Sequence, residues 1–169
     1  MKAGFIPAFF WLMKEKTILM VCLGNICRSP LAEGILAAKC EHLPIVVDSA
    51  GTSAYHIGHQ PDHRSQHIAT INGINIGDQR ARELMRSDLE TFDLIYAMDS
   101  SNYTNILKLA KNEEDKKKVR LILNESNPGQ NQAVPDPYFG GDQGFETVFI
   151  LLDEACEVIK TQLEKEFNV

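Results

Sequence analysis

Four short apolar runs constrain this chain more than any other feature: Thr17-Ile18-Leu19-Met20-Val21, Ile45-Val46-Val47-Asp48-Ser49, Leu94-Ile95-Tyr96-Ala97-Met98 and Val119-Arg120-Leu121-Ile122-Leu123. Each has the length and β-branched content of a buried strand, and helical segments separate them. Ser29-Pro30 reads as the cap and first turn of a helix through Lys39, and Pro61-Asp62 as the start of another that Asn72-Gly73 stops. Asp99-Ser100-Ser101 is a helix-start cluster. Phe145, Val148, Phe149, Leu152, Ala155, Cys156, Ile159 and Leu163 recur at helical spacing, so a long amphipathic helix closes the chain. Strands that alternate with helices form a parallel sheet covered on both faces. At 169 residues, 44% of them hydrophobic, the chain suffices for one core and not for two. The expectation is a single-domain three-layer α/β/α fold around a four-stranded parallel sheet. Strand order is not legible in this pattern.

The domain is expected to span residues 14–169. Residues 1–13 read as an extension or alternative start. Met1-Lys2 followed by an apolar stretch has the order of an export signal, but no small-residue cleavage site follows, and the stretch is too short to cross a membrane. A formal charge of −6 argues against nucleic acid or an anionic membrane as a general partner. The mixed signs of residues 111–118 suit a solvated helix end and connection better than a binding patch. His59, His63 and His67 recur every four residues, yet no cysteine or carboxylate pair completes a metal site near them. No metal and no cofactor is expected.

Ligands on parallel sheets sit beyond the carboxyl ends of the strands. Cys22, Ser49, Asp99 and the loop after Leu123 all leave from those ends. At the first of them stands Val21-Cys22-Leu23-Gly24-Asn25-Ile26-Cys27-Arg28-Ser29-Pro30. A strand feeding a tight loop that ends at a helix N-terminus aims backbone N–H groups and the positive end of a helix dipole into one concavity. Such a concavity favours both a thiolate and a phosphate, and a cysteine needs the help, since a free thiol is mostly protonated at neutral pH. Arg28 supplies a planar fork for two phosphate oxygens. The Ser29 hydroxyl can donate to the Cys22 sulfur, and Gly24 and Asn25 tolerate the positive φ that inward-pointing amides require. Taken alone, Cys22 also fits a buried strand-end cysteine, Asp136 an ordinary Pro-Asp-Pro turn, Cys27 a small packing residue, and Tyr55 and Tyr138 surface loop residues.

The full Cys22 stretch resembles the signature of the low-molecular-weight protein tyrosine phosphatases. Asp136-Pro137-Tyr138 stands at the spacing of that family's acid loop, so the resemblance runs from about Lys16 to the end. It implies a covalent two-step hydrolysis of phosphotyrosine, and of small aryl phosphates, through a cysteinyl-phosphate. Cys22 is the expected nucleophile. Arg28 and the amides of Leu23, Gly24, Asn25, Ile26, Cys27 and Arg28 are the expected oxyanion clamp. Asp136 is expected to act as general acid, then base, a role that contributes roughly a hundredfold to ten-thousandfold. The resemblance also implies that Tyr55 and Tyr138 flank the pocket mouth, that Asn25 and Ser49 pair behind the loop, and that Cys27 can trap an oxidised Cys22 as a disulfide. Family members often add a histidine ahead of an Ala-Arg pair. Here Gln79 takes that place before Ala81-Arg82.

The expected partners are tyrosine-phosphorylated proteins, a tyrosine kinase among the candidates, with inorganic phosphate as product. A reducing, cytoplasmic location suits a thiolate enzyme without a disulfide framework. Two other activities use the same loop. Related phosphoarginine phosphatases carry threonine where this chain has Ile26. Arsenate reduction relays oxidation through further cysteines, and none lies between Cys40 and Cys156. A module that binds phosphotyrosine without turnover would be signalled by loss of the nucleophile, arginine or acid, and all three are present.

Overall fold

The computed structural model describes residues 14–169; the expectation for residues 1–13 lies outside the described residues. Four strands, β1 (Lys16–Cys22), β2 (Ile45–Gly51), β3 (Leu94–Ala97) and β4 (Val119–Leu121), form one all-parallel sheet in the order β2-β1-β3-β4. β1 is central, with Lys16 opposite Ile45 and Cys22 opposite Gly51 on one side, and Ile18 opposite Leu94 on the other. The chain turns from one side of β1 to the other after β2, so the C-terminal end of β1 is a topological switch point. Cys22 sits there.

Alternation along β1 divides the core. Ile18, Met20 and Cys22 point to a cluster with Leu31, Ile35, Leu152 and Ile159, whereas Leu19 and Val21 point to one with Leu89, Phe92, Ile95 and Ile106. The first face is covered by α1 (Arg28–Lys39), α2 (His63–Ile71) and the 27-residue α7 (Gly141–Phe167); the second by α3 (Arg86–Thr91) and α4 (Ser100–Leu107). Two short helices, α5 (Glu113–Lys117) and α6 (Leu123–Ser126), flank β4. The apolar-polar alternation of a half-exposed strand is absent from β1 because both faces are covered: Ile18, Leu19, Met20 and Val21 are all fully buried.

Several boundaries differ from those expected. α1 begins at Arg28 with Cys27 at its cap position, and Ser29 lies inside the helix because its hydroxyl is engaged by Cys22 and Asn25 instead of capping. β4 ends at Leu121, and the backbone turns into α6 where a longer strand was expected. The charged stretch at 111–118 holds α5, capped by Asn112, whose side chain accepts from the Asp115 amide. α2 starts as read, with the Asp62 side chain accepting the Arg64 amide, and Gly73 follows it at φ 76°. No described helix is long and apolar enough to cross a membrane.

Candidate active site

The loop between β1 and α1 is built so that its carbonyls are held by the scaffold. Cys22 O accepts from Thr52 N, Leu23 O from Ser53 N, Ile26 O from Asp62 N and Cys27 O from Ser65 Oγ. With the carbonyls committed outward, the amide edge is free for a ligand. Asn25 alone takes positive φ, at 53°. Gly24 was expected to share that conformation and does not. Its surroundings are tight, since an added Cβ would lie 3.0 Å from His56 Cδ2 and the ring would have to give way. At the neighbouring strand end, a Cβ on Gly51 would meet Leu23 O at 2.8 Å, so β2 presses its backbone directly on the loop.

Cys22 is 2% exposed at the floor of this loop. Its sulfur lies 3.0 Å from Ser29 Oγ and accepts the Asn25 amide at 3.3 Å. Both partners have a hydrogen that can be aimed at the sulfur. Arg28, 3% exposed, donates through Nη1 to Asp99 Oδ2 at 2.7 Å and to Val134 O at 3.1 Å. Asp99 divides its oxygens, giving the other to the Asn102 amide as cap of α4. One edge of the guanidinium is thereby fixed, and its Nη2 lies 3.6 Å from Asp136 Oδ2. Asp136 arrives on the loop after α6, where Tyr138 N donates to its Oδ1 at 3.1 Å and the flanking prolines restrict the backbone.

Cys22, Arg28, Asp136, Leu23, Gly24 and Ile26 all line one cavity of about 200 Å³. Cys27, Tyr55 and Tyr138 line it too, Tyr55 being 90% exposed and Tyr138 42%. Three further lining residues, Ser53, His56 and Phe139, escaped the sequence reading; His56 and Phe139 directly follow the two tyrosines, which was the available signal. Phe139 packs edge-on to Tyr138 with ring centroids 4.9 Å apart. Arg64, also missed, steadies this loop by donating to Tyr138 O at 3.1 Å while its fork holds Asp62. Burial, with Asp62 and Cys22 nearby, pushes the Cys27 thiol up to about 12. His63 and His67 lie elsewhere, along a groove between α2 and α7.

Behind the loop, Asn25 Nδ2 donates to Ser29 Oγ at 2.8 Å and to Ser49 Oγ at 2.9 Å, and Asn25 Oδ1 accepts the Arg82 amide at 2.9 Å. Gln79 was expected within this network and stands outside it. Its Nε2 donates to Pro30 O at 3.1 Å, and Ser49 takes Glu33 as its outer partner. Glu33 follows Ser29 by four residues, one helical turn along the same face, a spacing that offered a signal. Burial raises its carboxyl to about 7, opposed by the Ser49 hydrogen bond and Arg82 and reinforced by Asp48.

Comparison with known proteins agrees with this geometry. The family described as low molecular weight phosphotyrosine protein phosphatase matches residues 17–169. A low molecular weight phosphotyrosine protein phosphatase of Schizosaccharomyces pombe is 42% identical over 144 residues, covering 82% of this chain and 91% of the relative. Among solved structures, a protein tyrosine phosphatase from Entamoeba histolytica superposes with a TM-score of 0.83 at 38% identity, over 90% of this chain and 99% of that one. Wzb of Vibrio vulnificus does so with 0.79 at 27% identity, over 87% and 98%. The chain belongs to the low-molecular-weight phosphotyrosine protein phosphatases.

Proposed function

We propose that this chain is a protein tyrosine phosphatase in which Cys22 attacks, Arg28 and the loop amides hold the phosphoryl oxygens, and Asp136 moves the proton. The observation that carries the reading is the convergence of these three side chains on one cavity, Cys22 and Arg28 from the two ends of the β1–α1 loop and Asp136 from the loop after α6. In the first step the Cys22 thiolate forms a bond to phosphorus while the P–O bond to the tyrosyl oxygen breaks. Protonated Asp136 gives its proton to that oxygen, so phenol leaves and a cysteinyl-phosphate remains. In the second step the Asp136 carboxylate takes a proton from water, whose oxygen bonds to phosphorus as the P–S bond breaks. Inorganic phosphate and the Cys22 thiolate result, with Ser29 Oγ placed to support the sulfur as leaving group.

Leu23, Ile26, Tyr55 and Tyr138 supply apolar walls suited to an aromatic ester, and the related Wzb was crystallised in complex with benzylphosphonate, an aryl-bearing phosphate mimic. Cys40 and Cys156 lie in the core, away from this cavity, so beyond Cys22 and Cys27 neither of them is placed to extend a thiol relay for arsenate reduction. Tyrosine-phosphorylated proteins are the substrates this reading assigns, including a tyrosine kinase as one candidate, and cytoplasm is the compartment it fits.

The test is single-turnover hydrolysis of para-nitrophenyl phosphate and of phosphotyrosine, phosphoserine and phosphoarginine peptides. Phosphotyrosine should lead the peptides. Cys22→Ser should be inactive, and Asp136→Ala should be slowed about 10²- to 10⁴-fold on poor leaving groups, less on good ones. Tight binding of phosphotyrosine peptide with no phosphate released by the wild type would overturn the reading in favour of a binding module.

A further inference from the structure

The hydrogen-bond chain behind the nucleophile ends on a carboxyl that the reaction described above does not use. Outward from Cys22 the links are Ser29 Oγ at 3.0 Å from the sulfur, Asn25 Nδ2 to Ser29 Oγ at 2.8 Å, Asn25 Nδ2 to Ser49 Oγ at 2.9 Å, and Ser49 Oγ to Glu33 Oε2 at 2.5 Å. With Cys22 as thiolate and Glu33 Oε2 as acceptor, the links run in one consistent direction. Asn25 Oδ1 is occupied by the Arg82 amide, so both Nδ2 hydrogens go to the two serines. Each serine, having accepted one hydrogen, has its own left to give. One goes to the Cys22 sulfur and the other to Glu33. The arrangement has a sulfur anion at one end, a carboxyl at the other, and a single amide dividing its donors between them.

The surroundings of Glu33 offer it a place to hold a proton. The charged groups that face it are Asp48 on β2, Arg82 on the segment after α2, and Glu41 beyond the end of α1, which lines the same pocket. Arg82 is shared, because its guanidinium donates to both Asp48 and Asp88. The remaining neighbour is neutral. Gln79 lines that pocket with Glu33, and its Oε1 is buried without a hydrogen-bond partner among the described residues. The pocket, of about 340 Å³, opens to solvent and gives the proton a route in and out.

We infer that Glu33 is a positioning residue of the phosphatase reaction, coupling its ionisation, through Ser49, Asn25 and Ser29, to the grip of the phosphate pocket on a dianion. Ionised, Glu33 adds a negative charge behind a loop that must hold both a thiolate and a phosphate dianion. Protonated, it keeps one oxygen as acceptor for Ser49. The geometry of the chain is kept and the repulsion is removed. By reciprocity, a dianion in the pocket favours uptake of that proton from solvent.

Sulfate is the probe, being a tetrahedral dianion whose own charge is constant across the neutral range. Its competitive inhibition constant is measured against pH for wild type, Glu33→Gln and Gln79→His, and proton uptake on binding is read by calorimetry in two buffers of different ionisation enthalpy. Wild-type affinity should fall about fivefold more than that of Glu33→Gln as pH rises through neutrality, the low end of coupling between sites. Gln79→His, which sets an ionisable ring beside Glu33, should move the step to lower pH, and it decides the matter if Glu33→Gln does not fold. Superposable profiles, or a loss in Glu33→Gln that is uniform with pH, would overturn the inference. The inference rests on the phosphate-pocket reading. If sulfate fails to compete with substrate in the wild type at every pH, that reading falls, and the inference with it.

Discussion

Arg28 is the residue whose environment is most fully specified. Asp99 and the Val134 carbonyl together hold one nitrogen, so the fork reaches the pocket in a single orientation without reordering when substrate arrives. Lysine would keep the charge, but its donors sit on a single nitrogen and it lacks the planar fork that holds Asp99 and a phosphate at once. Arg28→Lys should therefore lower kcat/KM about 10²- to 10³-fold, the usual effect of removing a preorganised oxyanion donor. Steady-state kinetics on para-nitrophenyl phosphate checks this, and a change below tenfold would mean that charge alone suffices. The residue types and spacing of the Cys22 segment make Cys22, Arg28 and Ser29 legible from the sequence alone. Glu33 and Arg82 are not, because their part is to hold other side chains across long gaps in sequence. The four-residue spacing from Ser29 puts Glu33 on the same helix face, but by itself it does not distinguish burial beside Ser49 from solvent.

At the scale of elements, periodicity serves where an element is long or fully buried. β1, β2, β3 and α7 follow the apolar pattern closely, since burial on both faces or along one stripe is what writes such a pattern. α3, α5 and α6 have four to six residues each, too short for a 3.6-residue period to repeat, and they are set by caps and by the elements they connect. α7 packs on α1 through fully buried Leu152, which lies away from the pocket lining. Leu152→Ala should destabilise the fold by about 2–5 kcal/mol, the range for truncating a buried leucine. Urea unfolding measures it. Activity per folded molecule should be unchanged, which would show that the phosphate loop is held by β1, β2 and its own hydrogen bonds.

For the molecule as a whole, Glu33 sets a stability trend with a definite sign. Its folded carboxyl is raised from 4.5 to about 7, so the folded state holds a proton that the unfolded chain releases at lower pH. The stability it contributes is complete below about 4.5 and is lost as pH rises through about 7. A shift of that size corresponds to roughly 3 kcal/mol. Glu33→Gln cannot ionise, so across this window the wild type should lose stability relative to the variant by an amount approaching that figure. Unfolding midpoints of both proteins against pH give the difference directly, free of the other titrating groups they share. Parallel curves would show Glu33 to be ionised throughout. In the proposed mechanism all of these parts serve chemistry at the sheet's switch point, where the Cys22 thiol would carry the phosphoryl group between substrate and water. The most direct measurement is rapid acid quench of Asp136→Ala with radiolabelled para-nitrophenyl phosphate, followed by peptide mapping of the labelled protein. Phosphate bound to Cys22, forming as nitrophenol is released and decaying as inorganic phosphate appears, is the predicted result. Complete turnover with no protein-bound phosphate at any time would contradict it.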